Sequence, residues 1–347
     1  MTRFLKDILD QPDQLLHSMD YSLHEGSRFM KQAADLIRPA ENVFIVAIGA
    51  SWCAGMAVQV AFNEAGVQAV LCDAADFLYF TRIPPRAVVI FLSRSGKSIE
   101  IVNAIPKCKA ANAVIVSITN APSSELARYS TVCLFTNVRF DNSISVSTYS
   151  SIILTGVLLA QLIKPLDTGT ASVDVFANTI QTINSSIPVW QSVIASAGWL
   201  NSSKATYFMA RGAEVACAHE SRLLWEEAAK QPATALTTGA FRHGPQEIIN
   251  NGIHIAIWIG NETARNYDCK LVNDLVEKQV NVIAVGSNLP LELKGHKIEM
   301  PPLPHLLCPV IGTIPMQLAS EKLAGIKGVD PDNFLYCNFI VETEGGL

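Results

Sequence analysis

What most limits how this chain can fold is a series of short apolar runs, each closed by a turn of small residues and followed by a helical period. The first run lies at 43–48 and ends in Gly49-Ala50-Ser51; others lie at 69–71, 87–92, 113–118 and 132–135. Runs this short read as strands, and strands apolar on both faces belong to a sheet covered on both sides. Helical segments between them predict parallel strands joined by right-handed crossovers, so the expected fold class is α/β with a doubly wound, mainly parallel sheet. A composition of 49% hydrophobic and 16% charged residues fits such a sheet.

A length of 347 residues exceeds what one ordinary core holds and predicts two domains. The second half then repeats the first. TYFMARGAE (206–214) overlays VFIVAIGAS (43–51) with Gly212 on Gly49, an offset of 212 − 49 = 163 residues. NVIAVGSNLPLEL (281–293) overlays AVIVSITNAPSSEL (113–126) with Asn288 on Asn120, an offset of 288 − 120 = 168. One loop insertion absorbs the difference, and tandem halves follow. The expected organisation is a helical arm at 1–30, a first domain at 31–166, a linker and helix at 167–200, a second domain at 201–330 and a tail at 331–347.

The apolar stretch 150–163, about 14 residues, falls short of the roughly 20 needed to span a bilayer and reads as a buried helix. The start, MTRFLKDILDQPDQLL, alternates charge with apolar residues and lacks a signal-peptide core, so a cytoplasmic protein without membrane contact is expected. A formal charge of −5 offers no basic stripe for a nucleic-acid backbone. Eight cysteines lie far apart with no CxxC pair and read as buried small hydrophobes. Neither a metal nor a cofactor is expected.

The loop LSRSGKS (92–98) follows a strand and precedes a helix. Hydroxyls of Ser93, Ser95 and Ser98, with amides freed by Gly96 at a helix N-terminus, form a nest suited to a phosphate monoester, and Arg94 and Lys97 add positive charge. Ser51 closes the preceding unit's strand in the same manner, and loops from neighbouring strands converge where doubly wound sheets bind ligands. The chain has neither GxGxxG nor a lysine-bearing Walker loop here, which favours a small phosphorylated molecule over a nucleotide. In the second half Glu220 and Glu227 stand seven residues apart on a helical pattern, two turns apart on one face. The neighbouring Ala216, Cys217 and Trp225 make that helix too apolar to be a solvated element. His243-Gly244-Pro245 forms a turn from which an imidazole projects. By contrast, Glu226 reads as solvated, His219 as a packed or surface imidazole, His254 as a satisfied core residue, and His296 and His305 as loop residues.

The ordered series FLKDILDQP, IGAS, SRSGKS, ITNAPSSEL, SVSTYSS, ARG, HES, EEAA, RHGP and IKGVDPDNFLYCNFIVE resembles the double sugar-isomerase-domain (SIS) family, and within it the isomerase portion of the glucosamine-6-phosphate synthases. The resemblance implies that Ser51, Ser93, Ser95 and Ser98 hold a sugar phosphate, with Arg94 where those synthases carry glutamine, and that Ser147 touches the sugar. It implies that Glu227 is the base moving a proton between the first two sugar carbons, Glu220 a supporting acid, and His243 the imidazole assisting ring opening. In that family the histidine reaches into the neighbouring subunit's site, so a homodimer is implied. Two departures stand out: Leu224 and Cys337 occupy positions where the synthases have lysines, so an imine to the protein is not available there, and Cys337 reads either as a substrate contact at the site mouth or as buried filler. Met1-Thr2 supplies no N-terminal cysteine nucleophile, and glutamine-dependent amination is not expected. The resulting expectation is an aldose–ketose isomerase acting on a 6-phosphorylated amino sugar or fructosamine with release of the amine, as a deaminase or deglycase. A plain phosphosugar isomerase and a non-catalytic sugar-phosphate sensor are the alternatives.

Overall fold

The computed structural model describes residues 1–141, 143–164, 171–201, 203–260 and 264–345. The chain divides into two compact units, one of Asp13–Ala171 with Phe334–Leu347, the other of Met1–Pro12 with Ser172–Asn333. It opens with α1 (Arg3–Leu23) and α2 (Ser27–Ile37). Phe4, Ile8, Leu15 and Met19 are the large apolar side chains that α1 buries, as the alternation of charge and apolar residues predicts.

The first sheet consists of β1 (Val43–Ala47), β2 (Ala69–Asp73), β3 (Val88–Ser93), β4 (Val114–Thr119) and β5 (Val132–Phe135). All its pairings are parallel, in the order β2-β1-β3-β4-β5. Its crossovers run through α3 (Ala50–Glu64), α4 (Ala74–Phe80), α5 (Ile99–Ala110) and α6 (Glu125–Tyr129), and α7 (Ser147–Ile163) follows β5. Every residue of β3 is buried, which is why 87–92 reads as a continuous apolar run. Behind it Phe77, Phe91, Ile101, Ile105 and Leu126 form one core cluster. The apolar stretch at 150–163 is α7, buried at nearly every position and packed against α2 and α3. Among the described residues no helix is long and apolar enough to cross a membrane.

The other unit holds α8 (Ala171–Ser196), β6 (Ala205–Ala210), α9 (Val215–Glu227), β7 (Thr234–Thr237), α10 (Thr238–Phe241), β8 (Ile253–Ile259), α11 (Arg265–Glu277), β9 (Asn281–Gly286), β10 (His296–Glu299), α12 (Cys308–Gly312) and α13 (Ile314–Lys327). The polar start of the expected linker, at 167–170, lies outside the described residues. The sheet order β10-β9-β8-β6-β7, again all parallel, is the first sheet's order read from its opposite edge. β6 is therefore the counterpart of β1 and β9 that of β4, the two strands that the sequence overlay aligns. The overlaid glycines also agree in backbone: Gly49 has φ +60° and Gly212 φ +59°. That left-handed conformation is strained for a residue with a Cβ, so each strand-to-helix turn calls for glycine.

Trp199, Phe208 and Trp225 pack edge to face in the second unit's core, with centroids of Trp199 and Trp225 5.3 Å apart. His254 stacks on Trp199 at 5.6 Å and 19°. It is a core histidine as expected but only partly satisfied, because among the described residues nothing hydrogen-bonds its Nδ1. Burial, with a smaller effect of the Lys204 charge, pushes its pKa down to about 4. His296, expected in a loop, begins β10 because its segment pairs with β9 at the sheet edge.

Candidate functional site

In the first unit the switch point of the sheet lies between β1 and β3, and the candidate phosphate residues sit at these strands' carboxyl ends. Ser51 is the second residue of α3 and is buried. Ser93 ends β3, and its Oγ accepts a hydrogen bond from the Gly96 amide at 3.0 Å. Ser95, also buried, accepts from the Lys97 amide at 3.2 Å. The loop can turn this tightly only through Gly96, at φ +61°, where a Cβ would lie 2.2 Å from Ser124 Oγ. Ser98 stands at the N-cap of α5 and its side chain makes no capping bond. The hydroxyls and the helix start are thus gathered within six residues of one strand tip.

Two segments pack on this loop. Asp141, buried, accepts from the amides of Val146, Ser147 and Thr148 at 3.0 Å each and from the Thr148 hydroxyl. It thereby caps α7 and fixes Ser147, which is itself buried. Burial pushes the Asp141 carboxyl up, while these donors and the Arg94 charge pull it back. The Arg94 guanidinium donates to Ser143 O at 3.0 Å and to Phe339 O at 2.8 Å, and lies over the Phe140 ring. Arg94 therefore ties the 140s loop and the C-terminal segment to the serine loop. That segment makes further contacts: Ile99 N, the first amide of α5, donates to Val341 O at 3.0 Å, Lys97 stands 3.9 Å from Glu342, and Tyr79 OH donates to Glu344. Cys337 lies on the same segment and is exposed.

In the second unit Glu220 and Glu227 both lie on α9, two turns apart. Glu220 is buried on the helix's packed stripe with Ala216, Cys217 and Leu224, and Glu227 is half-buried in the last turn. Leu224, one turn after Glu220 and three residues before Glu227, is fully buried and fills with hydrocarbon a place between the acids. The end of α9 is clamped by ammonium groups, which suit a helix C-terminus. Lys230 Nζ donates to Glu227 O and, at 2.8 Å, to Asn333 O. Lys327 Nζ donates to Lys230 O and Gln231 Oε1, both at 2.9 Å, and burial pushes its pKa down. His243 follows α10, its amide bonded to Ala240 O at 3.1 Å, and its side chain is exposed on the corner before Gly244 and Pro245. Glu226 pairs with Arg222 at 2.6 Å in an i,i+4 surface contact, and His219 is half-buried with its pKa lowered by burial.

The strand tips of the second sheet also frame a small cleft lined by Glu214, Trp258, Gly260, Ser287, Met300 and Cys308 among others. Glu214, buried, takes the overlay position of Ser51. Sequence reading missed the roles of Asp141, Lys230 and the C-terminal carbonyls. Of these only Asp141 left a signal, as an acid heading the polar run DNSISVST before an apolar helix.

Residues 36–165 match the SIS domain family. The chain is 24% identical over 342 residues to glutamine–fructose-6-phosphate aminotransferase (isomerizing) of Pyrococcus horikoshii, covering 94% of this chain and 55% of that protein. It thus spans about half the length of the curated relatives it matches. Among solved structures it is similar to the C-terminal domain of glucosamine-fructose-6-phosphate aminotransferase from Francisella tularensis, with a TM-score of 0.83, 21% identity, and coverage of 96% and 98% of the two chains. It is similar also to glucosamine-6-phosphate deaminase from Thermotoga maritima, with a TM-score of 0.80, 19% identity, and coverage of 98% and 99%.

Proposed function

We propose that this SIS-domain protein is a sugar-phosphate enzyme that isomerises a 6-phosphorylated amino sugar or fructosamine and releases the amine. The serine loop carries the reading: buried hydroxyls at Ser93 and Ser95, the glycine turn at Gly96 and the Ser98 hydroxyl, which makes no capping bond, gather at the switch point of the first sheet. Such a nest suits a phosphate monoester, and Ser51 adds a hydroxyl from the adjacent strand tip.

Glu227 takes a proton from the sugar carbon beside the carbonyl or imine and returns it to the neighbouring carbon, so the double bond migrates with no net change in composition. Glu220 supports that carboxylate, and His243 donates to the ring oxygen as the sugar opens. The exposure of His243 on a rigid corner fits its delivery to the site of a second subunit, as a homodimer would arrange. With Leu224 and the exposed Cys337 in place of amines, the substrate nitrogen itself forms the imine. Water then adds to the C=N carbon and the C–N bond breaks, giving a free amine and a ketone from a 2-amino sugar or an aldehyde from a fructosamine; one water is consumed for each amine released.

The test is a panel of phosphorylated hexoses, hexosamines and fructosamines, screened for thermal stabilisation of the protein and then for amine or ammonia release. The expected result is stabilisation by amino-sugar phosphates followed by amine release. Isomerisation of a plain hexose phosphate without nitrogen release would replace this reading by the simpler isomerase. A panel with no stabilising phosphosugar would end it.

A further inference from the structure

Asp268 lies on α11, and its carboxylate is 3% exposed. A charge so far from water is costly unless it is paired. One oxygen, Oδ1, takes both bonds: Arg211 Nε donates to it at 2.8 Å and Thr238 Oγ1 at 2.9 Å. The two donors come from different strand tips. Arg211 follows β6 and immediately precedes Gly212, the turn that launches α9 with its two acids. Thr238 follows β7 and opens α10, which ends two residues before His243. α10 is only four residues long, and its own bonds, Ala240 N to Thr237 Oγ1 at 3.0 Å and His243 N to Ala240 O at 3.1 Å, fix its shape but not its direction.

The geometry points to Asp268 as a positioning residue that aims both α9, bearing Glu220 and Glu227, and the α10 corner, bearing His243, from a single carboxylate. This rests on the reading that those three side chains do the chemistry. Two backbone segments that both need aiming are referred to one fixed point, so a shift in either is resisted by the same buried oxygen. Arg211 is charged, a third exposed and able to regain water, so removing the charge of Asp268 leaves the fold with a tolerable group.

The experiment compares the wild type with Asp268→Asn and Thr238→Val on the amino-sugar phosphate found by the panel, together with amide hydrogen exchange. Misplacement of catalytic groups by about an ångström costs about a hundredfold in turnover. Asp268→Asn is therefore expected to lower kcat about that much, while thermal stabilisation by the phosphosugar, which the serine loop governs, stays at the wild-type value. Exchange should rise about tenfold at 212–216 and 238–243. Thr238→Val cuts one arm, so exchange should rise at 238–243 alone, with a smaller fall in kcat. Exchange that is unchanged at both segments, or that rises equally across β8 and β9, would overturn the inference, as would an unaltered kcat in a folded Asp268→Asn protein. Should the wild type turn over none of the panel, the proposed reaction falls, and the exchange pattern alone still decides whether Asp268 holds the two segments.

Discussion

The strand tips of the two sheets were built to one plan and now carry opposite chemistry. Both sheets have the same strand order, and both launch a helix from a glycine at φ near +60°. Two residues past that glycine the first sheet places Ser51 and the second Glu214. Beyond the next switch-point strand the first has the hydroxyl-rich serine loop, whereas the second has Gly260 and a cleft walled by Trp258 and Met300. A donor-rich tip bearing Arg94 and Lys97 suits an anion, and a tip with a buried carboxylate repels one. On the proposed reading, the two copies of one scaffold divide the work, the first gripping the phosphate and the second contributing acids.

The sharpest way to break this division of labour is to remove the acid while keeping its shape. Glu227→Gln is expected to cut kcat by about 10²- to 10⁴-fold, with phosphosugar binding by thermal shift unchanged; a fall in binding alone would move the acid out of the chemistry. Exchanging the two tips is next. Ser51→Glu puts the second tip's charge into the first and should weaken phosphosugar binding about a hundredfold by repulsion, whereas Glu214→Ser should leave that affinity as it was, both read by calorimetry.

Smaller effects sharpen the comparison within each unit. Gly96→Ala forces a Cβ onto Ser124 in a left-handed turn, and a loss of about 1–3 kcal/mol in denaturant unfolding is expected, with the phosphosugar's thermal shift reduced. In the second unit His254 titrates near 4 in the fold against 6.5 ordinarily. Between those values the unfolded chain takes up a proton that the fold refuses, so stability falls as the pH drops from 6.5 to 4 and is level above that window. His254→Phe should flatten that slope in urea midpoints. Last, Lys97→Ala breaks an exposed contact with Glu342 and should cost no more than about 1 kcal/mol, measured as a thermal midpoint.

Residues buried on both faces announced themselves in the sequence. The runs that became β1, β3, β4, β8 and β9 are continuous and apolar, so their pattern states their environment without any partner being known. β7 and β10 each have one neighbour in the sheet, and Thr234–Thr237 and His296–Glu299 are half-exposed, four-residue strands with no apolar run to betray them. The site divides in the same way. The turn of the serine loop was legible because it is local, made within one loop. Asp268 was not read, since its meaning depends on Arg211 and Thr238, which lie 57 and 30 residues away. A trace of it was present: Asp268, Val272 and Leu275 share the buried stripe of α11, an acid where hydrocarbon belongs.

Phe339 and Val341 hold the serine loop through their carbonyl oxygens, a group that every amino acid possesses. The hold depends there on spacing and not on side-chain identity. Swapping the side chain at 341 should leave both bonds in place, and at 339 it removes only the ring contact with Phe334, but inserting or deleting a single residue just before them would throw both acceptors out of register with Arg94 and Ile99.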